Sequence, residues 1–131
     1  MEMLKCGRLA PYAHGLLRVM TGLLYVEHGT AKLFGFPHVA MFDGLKLMSL
    51  MGLAGVLELV GGTLVTLGLA TRVAAFILSG EMAVAYFTVH AKVSFFPALN
   101  DGEPAVLFCF IFLFLAAAGA GAFSLDGLRK D

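Results

Sequence analysis

The stretch LMSLMGLAGVLELVGGTLVTLGLA, residues 47–70, decides the fold class of this chain. Its single charged side chain is Glu58, and an apolar helix of about 20 residues is long enough to cross the ~30 Å hydrocarbon core of a bilayer. Apolar and polar residues do not alternate along it, as they would in a barrel strand. A segment in lipid must also satisfy its own backbone hydrogen bonds, which favours a helix.

Similar apolar segments occupy three other parts of the chain, at about residues 9–28, 72–91 and 104–124. The predicted fold is therefore all-α, a single domain over residues 1–131 built as an integral membrane four-helix antiparallel bundle. The connection 68–72 is very short, so the second and third helices should be antiparallel neighbours. Gly15, Gly22 and Gly29 recur at seven-residue spacing, and small residues let helices approach closely in lipid.

Composition supports lipid as the solvent for this chain. Hydrophobic residues make up 60% of it and charged residues only 14%, whereas a soluble domain has about 25% charged residues. A formal net charge of zero gives no support for nucleic acid as a partner. Cys6 and Cys109 are far apart and form no C-x-x-C pair, so they predict no redox motif.

Basic residues predict the orientation of the bundle. With the N-terminus inside, five of them fall on the cytoplasmic side and three on the other: Lys5, Arg8, Arg72, Arg129 and Lys130 against Lys32, Lys46 and Lys92. Because basic residues favour the cytoplasmic side, we expect a multi-pass protein of the cytoplasmic membrane with both termini in the cytoplasm.

Three charged side chains fall near the middle of three different segments: Arg18, Glu58 and Glu81. A charge at the bilayer centre costs at least ~2.5 kcal/mol, and pairing inside the bundle is the simplest relief. We therefore predict that Arg18 contacts Glu58, Glu81 or both, and that the three form an intramembrane ligand-binding site. The alternative is a purely structural cluster that fixes the register of the helices.

A second polar group, the outer-rim cluster, lies at the segment ends opposite the termini. Its members are Glu27, His28, Lys32, His90, Asn100 and Glu103. Two histidines without fixed spacing do not make a metal motif, so no metal site is predicted. The sequence also shows no haem or iron–sulfur spacing, and no cofactor is evident. An apolar groove with a few polar groups would suit a quinone.

Several short motifs follow one another along the chain in a fixed order. Arg18 comes first, then HGTAKL at 28–33, ELVGG at 58–62, NDGE at 100–103 and GAGAFSLD at 119–126. In this order they resemble the DoxX family of small bacterial membrane proteins, and the resemblance covers most of the chain.

The resemblance implies four transmembrane helices in a bacterial inner membrane. It carries the family's arginine, its lysine and its two glutamates onto Arg18, Lys32, Glu58 and Glu103. Asp101 departs from the pattern, since glycine is common at that place, and this should alter the turn.

The family takes its name from a subunit associated with thiosulfate:quinone oxidoreductase. The resemblance therefore predicts a redox-associated membrane subunit with a polar site for a quinone or a small anion, and, if it is enzymatic, a part of an oxidoreductase complex. The partners that fit are bilayer lipid, a soluble or membrane redox protein, and further copies of the chain. Two alternatives stay open: a non-enzymatic scaffold or assembly partner, and a small transporter, which four helices make less favoured.

Overall fold

The computed structural model describes residues 6–128, and every regular element in this part of the chain is helical. The longer helices are α1 (Ala10–Phe34), α2 (Leu50–Leu67), α3 (Thr71–Ala85) and, after the single-turn helix α4 (Pro97–Asn100), α5 (Glu103–Ala118). A last single turn, α6, covers Leu125–Leu128. Helix α3 continues as a π-helical turn over Tyr86–His90, and short 3₁₀ turns cover Gly7–Leu9 and Ala40–Phe42. The all-α prediction is confirmed.

Glycines and one serine set the helix ends, and they move several of the predicted boundaries. Helix α1 runs six residues past the expected end at residue 28 and stops where Gly35 turns left-handed at φ 68°. Helix α2 begins after Ser49, whose hydroxyl caps it by accepting the amide of Gly52 at 3.1 Å. Helix α5 ends at Ala118, before residue 124, because Gly119 at φ 86° leaves the helical region.

Two of the described helical segments, Leu50–Leu67 and Thr71–His90, are long and apolar enough to cross a membrane. Four such helices are expected from the sequence. Helix α5 is apolar but has only 16 residues, because Gly119 ends it early. Helix α1 has 25 residues and carries charged side chains in its interior, at Arg18, and toward its C-terminal end, at Glu27 and Lys32.

Helices α1 and α2 form one antiparallel pair, and α3 and α5 form another; the short α2–α3 turn joins the two pairs. Gly22 and Gly29 of α1 lie where its backbone approaches the backbone of α2 most closely. A Cβ added at Gly22 would lie 2.6 Å from the amide nitrogen of Thr66, and one added at Gly29 would lie 2.6 Å from that of Leu59. The prediction of close helix approach at these glycines is confirmed, and it fixes the register of α1 on α2.

The core is small and the outward surface is apolar. Tyr25, Leu78 and Phe112 are almost fully buried at the centre, whereas large side chains such as Phe76 and Phe110 are 67% and 63% exposed. Soluble monomers rarely expose contiguous apolar surface on this scale, so lipid is the solvent that this surface fits.

The two ends of the bundle differ. We call the end with the α2–α3 turn and the segment 119–128 the turn end, and the end with the connections 35–49 and 91–102 the loop end. Arg8 and Arg72 lie at the turn end. Three residues used to predict orientation, Lys5, Arg129 and Lys130, lie outside the described residues.

Candidate functional site

Four polar side chains form a connected series in the loop-end half of the bundle, and we call them the polar chain. The Lys32 ammonium donates to both carboxylate oxygens of Glu58, at 2.7 and 2.6 Å. The Tyr25 hydroxyl donates to Glu81 at 3.0 Å. The carboxyl groups of Glu58 and Glu81 lie near enough to interact electrostatically, and this interaction links the two pairs.

Helix register explains why these residues meet. Lys32 and Glu58 each lie three residues after a glycine of the α1–α2 contact, Gly29 and Gly55, and residues three apart share a helix face. Close backbone approach at the glycines therefore brings the lysine within reach of the carboxylate. Glu81 follows the core residue Leu78 by the same spacing on α3.

Tyr25 is held by aromatic packing. Its ring is 1% exposed and meets Phe112 edge to face at a centroid distance of 4.8 Å, with Phe108 at 5.4 Å. This packing fixes the hydroxyl opposite Glu81. Sequence reasoning missed Tyr25; the available signal was a phenol inside an apolar segment, because a buried hydroxyl normally has a hydrogen-bond partner.

The ion pair between Lys32 and Glu58 is almost completely removed from solvent. The Glu58 side chain is 1% exposed and the Lys32 side chain 11%. Breaking such a pair from one side costs about 3–5 kcal/mol, because a buried charge is left uncompensated. Two carboxyl groups face one ammonium here, so the polar chain combines a fixed charge pair with one further acidic group.

A cavity of about 280 Å³ opens next to the polar chain, and we call it the loop-end cavity. Its lining includes three members of the polar chain, Tyr25, Lys32 and Glu58, and the rest is largely apolar apart from His28, His90 and Asp101. The apolar part comes from Met51, Met82, Ala85, Ala105 and Phe108. Phe42 in the first connection covers it and lies with its ring centroid 5.6 Å from the Lys32 nitrogen.

The predicted contact between Arg18 and the two glutamates is wrong. Arg18 is 0% exposed and donates to backbone carbonyls instead: to Val65 at 2.9 Å, Ala122 at 2.9 Å and Phe123 at 2.7 Å, and also to Ala120. These hydrogen bonds satisfy carbonyl groups of the non-helical segment that follows α5 and hold that segment against the turn end.

The error came from judging depth by position in the apolar segment. Helix α1 extends to Phe34, so Arg18 lies in the turn-end half of the helix and not at its middle. The glycine register then sets Arg18 opposite Val65, seven residues along α2 from Glu58. At 1.5 Å per residue this is about 10 Å, so Arg18 and the polar chain are separate features.

The DoxX family model matches residues 14–91 of the chain. This protein belongs to the DoxX family. It is a DoxX-type membrane protein, and Arg18 and all four members of the polar chain lie within the matched residues.

Two curated proteins are similar in sequence to this DoxX chain. A Haemophilus influenzae protein described as "Uncharacterized protein" is 45% identical over 121 residues, 88% of this chain and 90% of the relative. A Bacillus subtilis protein named "Putative oxidoreductase CatD" is 38% identical over 82 residues, 61% of each chain. No solved structure matches the DoxX chain.

The outer-rim cluster of this DoxX protein divides into three parts. His28, Lys32 and His90 line the loop-end cavity, and the π-helical turn at the end of α3 presents His90 there. Such turns are frequent at functional sites. Glu27 and Glu103 are exposed; Glu103 begins α5, where a carboxylate is favoured by the helix dipole.

The third part of the cluster is Asn100, which holds the second connection together. Its amide nitrogen donates to the Ser94 carbonyl at 2.7 Å, and its amide oxygen accepts the Gly102 amide at 2.8 Å. Its backbone carbonyl meets His90 Nδ1 at 3.0 Å. Asp101 adopts the left-handed region at φ 57°, which explains why glycine would suit that position.

Proposed function

We propose that this DoxX protein is a redox-associated membrane subunit that binds the ring of an isoprenoid quinone in the loop-end cavity. The observation that carries the proposal is the polar chain, which ends at the wall of an otherwise largely apolar cavity. At about 280 Å³ the cavity is near the lower limit of small-molecule sites, ~300 Å³. It therefore suits a single ring, with the isoprenoid tail outside it between helices and lipid.

The walls supply what a quinone ring needs. Phe108 and Met82 offer apolar contact to the ring faces, and the Lys32 ammonium offers a hydrogen-bond donor to a ring carbonyl. Lysine has three N–H donors, so it can serve a ligand while it holds Glu58.

Interconversion of a quinone and its quinol moves two electrons and two protons. In this proposal a redox partner protein exchanges both electrons, the polar chain exchanges one proton, and water at the loop end exchanges the other. A carboxyl group donates a hydrogen bond only when it holds a proton, and in this proposal the neighbouring carboxyl groups of Glu58 and Glu81 share one proton beside the cavity. The name of the Bacillus subtilis relative, an oxidoreductase, supports the redox class.

In the same proposal the bundle lies in the bacterial inner membrane and crosses it four times, through α1, α2, α3 with its π-helical turn, and α5. The turn end faces the cytoplasm and the loop end faces outward. Arg8 and Arg72 at the turn end support this orientation, since basic residues favour the cytoplasmic side. Labelling of single cysteines introduced in the two connections, from outside intact cells, tests it.

Binding of a short-chain quinone to the purified protein in detergent tests the function. Wild-type protein should bind it saturably, and Glu81→Leu should weaken binding about tenfold, which corresponds to 1.4 kcal/mol and the one hydrogen bond of the polar chain that leucine cannot form. Glu27→Leu, which replaces an exposed carboxylate at the same end, is the matched control. Absence of saturable binding by wild type, or equal binding by Glu81→Leu, would refute the quinone site and favour the scaffold function.

A further inference from the structure

The turn end of the bundle contains a second and larger cavity, of about 590 Å³, which we call the turn-end groove. It lies between the start of α3 and the segment 118–127, and its walls include His14, Thr71, Arg72 and Asp126. It shares no lining residue with the loop-end cavity. Any ligand of the groove is therefore separate from the proposed quinone.

Thr71 gives the first sign of a ligand. The residue is 1% exposed, and among the described residues 6–128 its buried hydroxyl oxygen has no hydrogen-bond partner. A buried hydroxyl left in this state costs about 1–3 kcal/mol, and such groups are rare enough in folded proteins to require an explanation. A bound group with an acceptor oxygen in the groove would supply the missing partner.

The charges around the groove favour an anion. The exposed side chain of Arg72 donates through one nitrogen, Nη1, to the carbonyls of Ala116 and Ala117. Its guanidinium carries five N–H groups in all. His14 Nε2 meets the Gly119 carbonyl at 2.8 Å, so the imidazole also lines the groove.

Asp126 is the acidic residue of the groove, and its charge is already engaged. Its two carboxylate oxygens accept the amides of Ala70 and Thr71, at 2.9 and 3.0 Å, and it lies in the electrostatic field of Arg18. The 15-residue helix α3 also points its positive N-terminal end at this place. The Arg72 guanidinium and the N-terminal end of α3 are therefore the positive groups that an anion in the groove would meet.

We infer that the turn-end groove binds a phosphate group, with phosphate oxygens accepting from the Thr71 hydroxyl and the Arg72 guanidinium. A helix N-terminus combined with an arginine is a common setting for phosphate. The phosphate belongs either to a phospholipid headgroup or to free phosphate. Val73, 66% exposed, extends the wall of the groove toward the apolar surface, where the acyl chains of a lipid would lie.

Titration of the purified full chain in detergent with three probes tests this site. The probes are short-chain phosphatidylglycerol, the corresponding diacylglycerol without phosphate, and inorganic phosphate. Wild-type protein should bind phosphatidylglycerol and not diacylglycerol. Binding of inorganic phosphate with equal affinity would assign the site to free phosphate, and much weaker binding would assign it to lipid.

Three variants complete the test. Thr71→Val and Arg72→Gln should each weaken phosphatidylglycerol binding about tenfold, whereas Arg8→Gln, a basic residue of the same end outside the groove lining, should leave it unchanged. Thr71→Val keeps the side-chain shape, so a folding defect should not obscure the result. Diacylglycerol binding as tightly as phosphatidylglycerol, or wild-type affinity in both groove variants, would overturn the inference.

Discussion

The buried ion pair between Lys32 and Glu58 allows a quantitative prediction. Both carboxylate oxygens of Glu58 contact the ammonium, and the two side chains are 1% and 11% exposed. Lys32→Met should therefore lower the free energy of unfolding by about 3–5 kcal/mol, because it leaves a carboxylate buried without its counter-charge. The double variant Lys32→Met, Glu58→Leu removes both charges and should recover most of that loss, since apolar replacement of a buried pair is often neutral or stabilising.

Helicity followed by circular dichroism during titration of detergent-solubilised protein with sodium dodecyl sulfate measures these differences. Lys46→Met, on an exposed loop residue, is the matched control and should unfold with wild type. If the Lys32→Met variant were as stable as the wild type, the pair would not be desolvated as described. Failure of the double variant to recover would show that Glu58 is needed for more than its charge pair.

Three further predictions concern other contacts. Arg18→Gln should destabilise the protein by about 3 kcal/mol or more, because several buried carbonyls lose their donor, and limited proteolysis should then cut the segment 119–126; a wild-type digestion pattern would contradict this. Gly22→Val should disrupt the α1–α2 contact and lower the melting temperature, whereas Gly80→Ala, with open space around its Cβ, should be neutral or stabilising; equal melting temperatures would contradict the register. Tyr25→Phe should cost about 1–2 kcal/mol for the lost bond to Glu81, and no change in unfolding would contradict that bond.

Much of the bundle could be predicted because its determinants are local in the sequence. Apolar length gives the helices, the short connection 68–72 makes α2 and α3 neighbours, and the spacing of Gly22 and Gly29 marks the face of closest approach. Helix order also predicts that Glu58 and Glu81, each near the middle of its segment, lie at a similar depth.

The partner of Arg18 could not be predicted in this way. Its acceptors are backbone carbonyls, which no residue type reveals, and they become available only because Gly119 and Gly121 interrupt the last helix. The role of Lys32 as the counter-charge of Glu58 depended on the true end of α1, which a left-handed Gly35 sets six residues later than hydropathy indicates.

Photolabelling with an azido-quinone, followed by peptide mapping, tests most directly whether the loop-end cavity holds a quinone ring. We expect label on the wall residues Met82 and Phe108, competition by unlabelled quinone, and strongly reduced label in Glu81→Leu. Label spread over lipid-facing residues such as Phe76 and Phe110, without competition, would contradict a quinone site beside the polar chain.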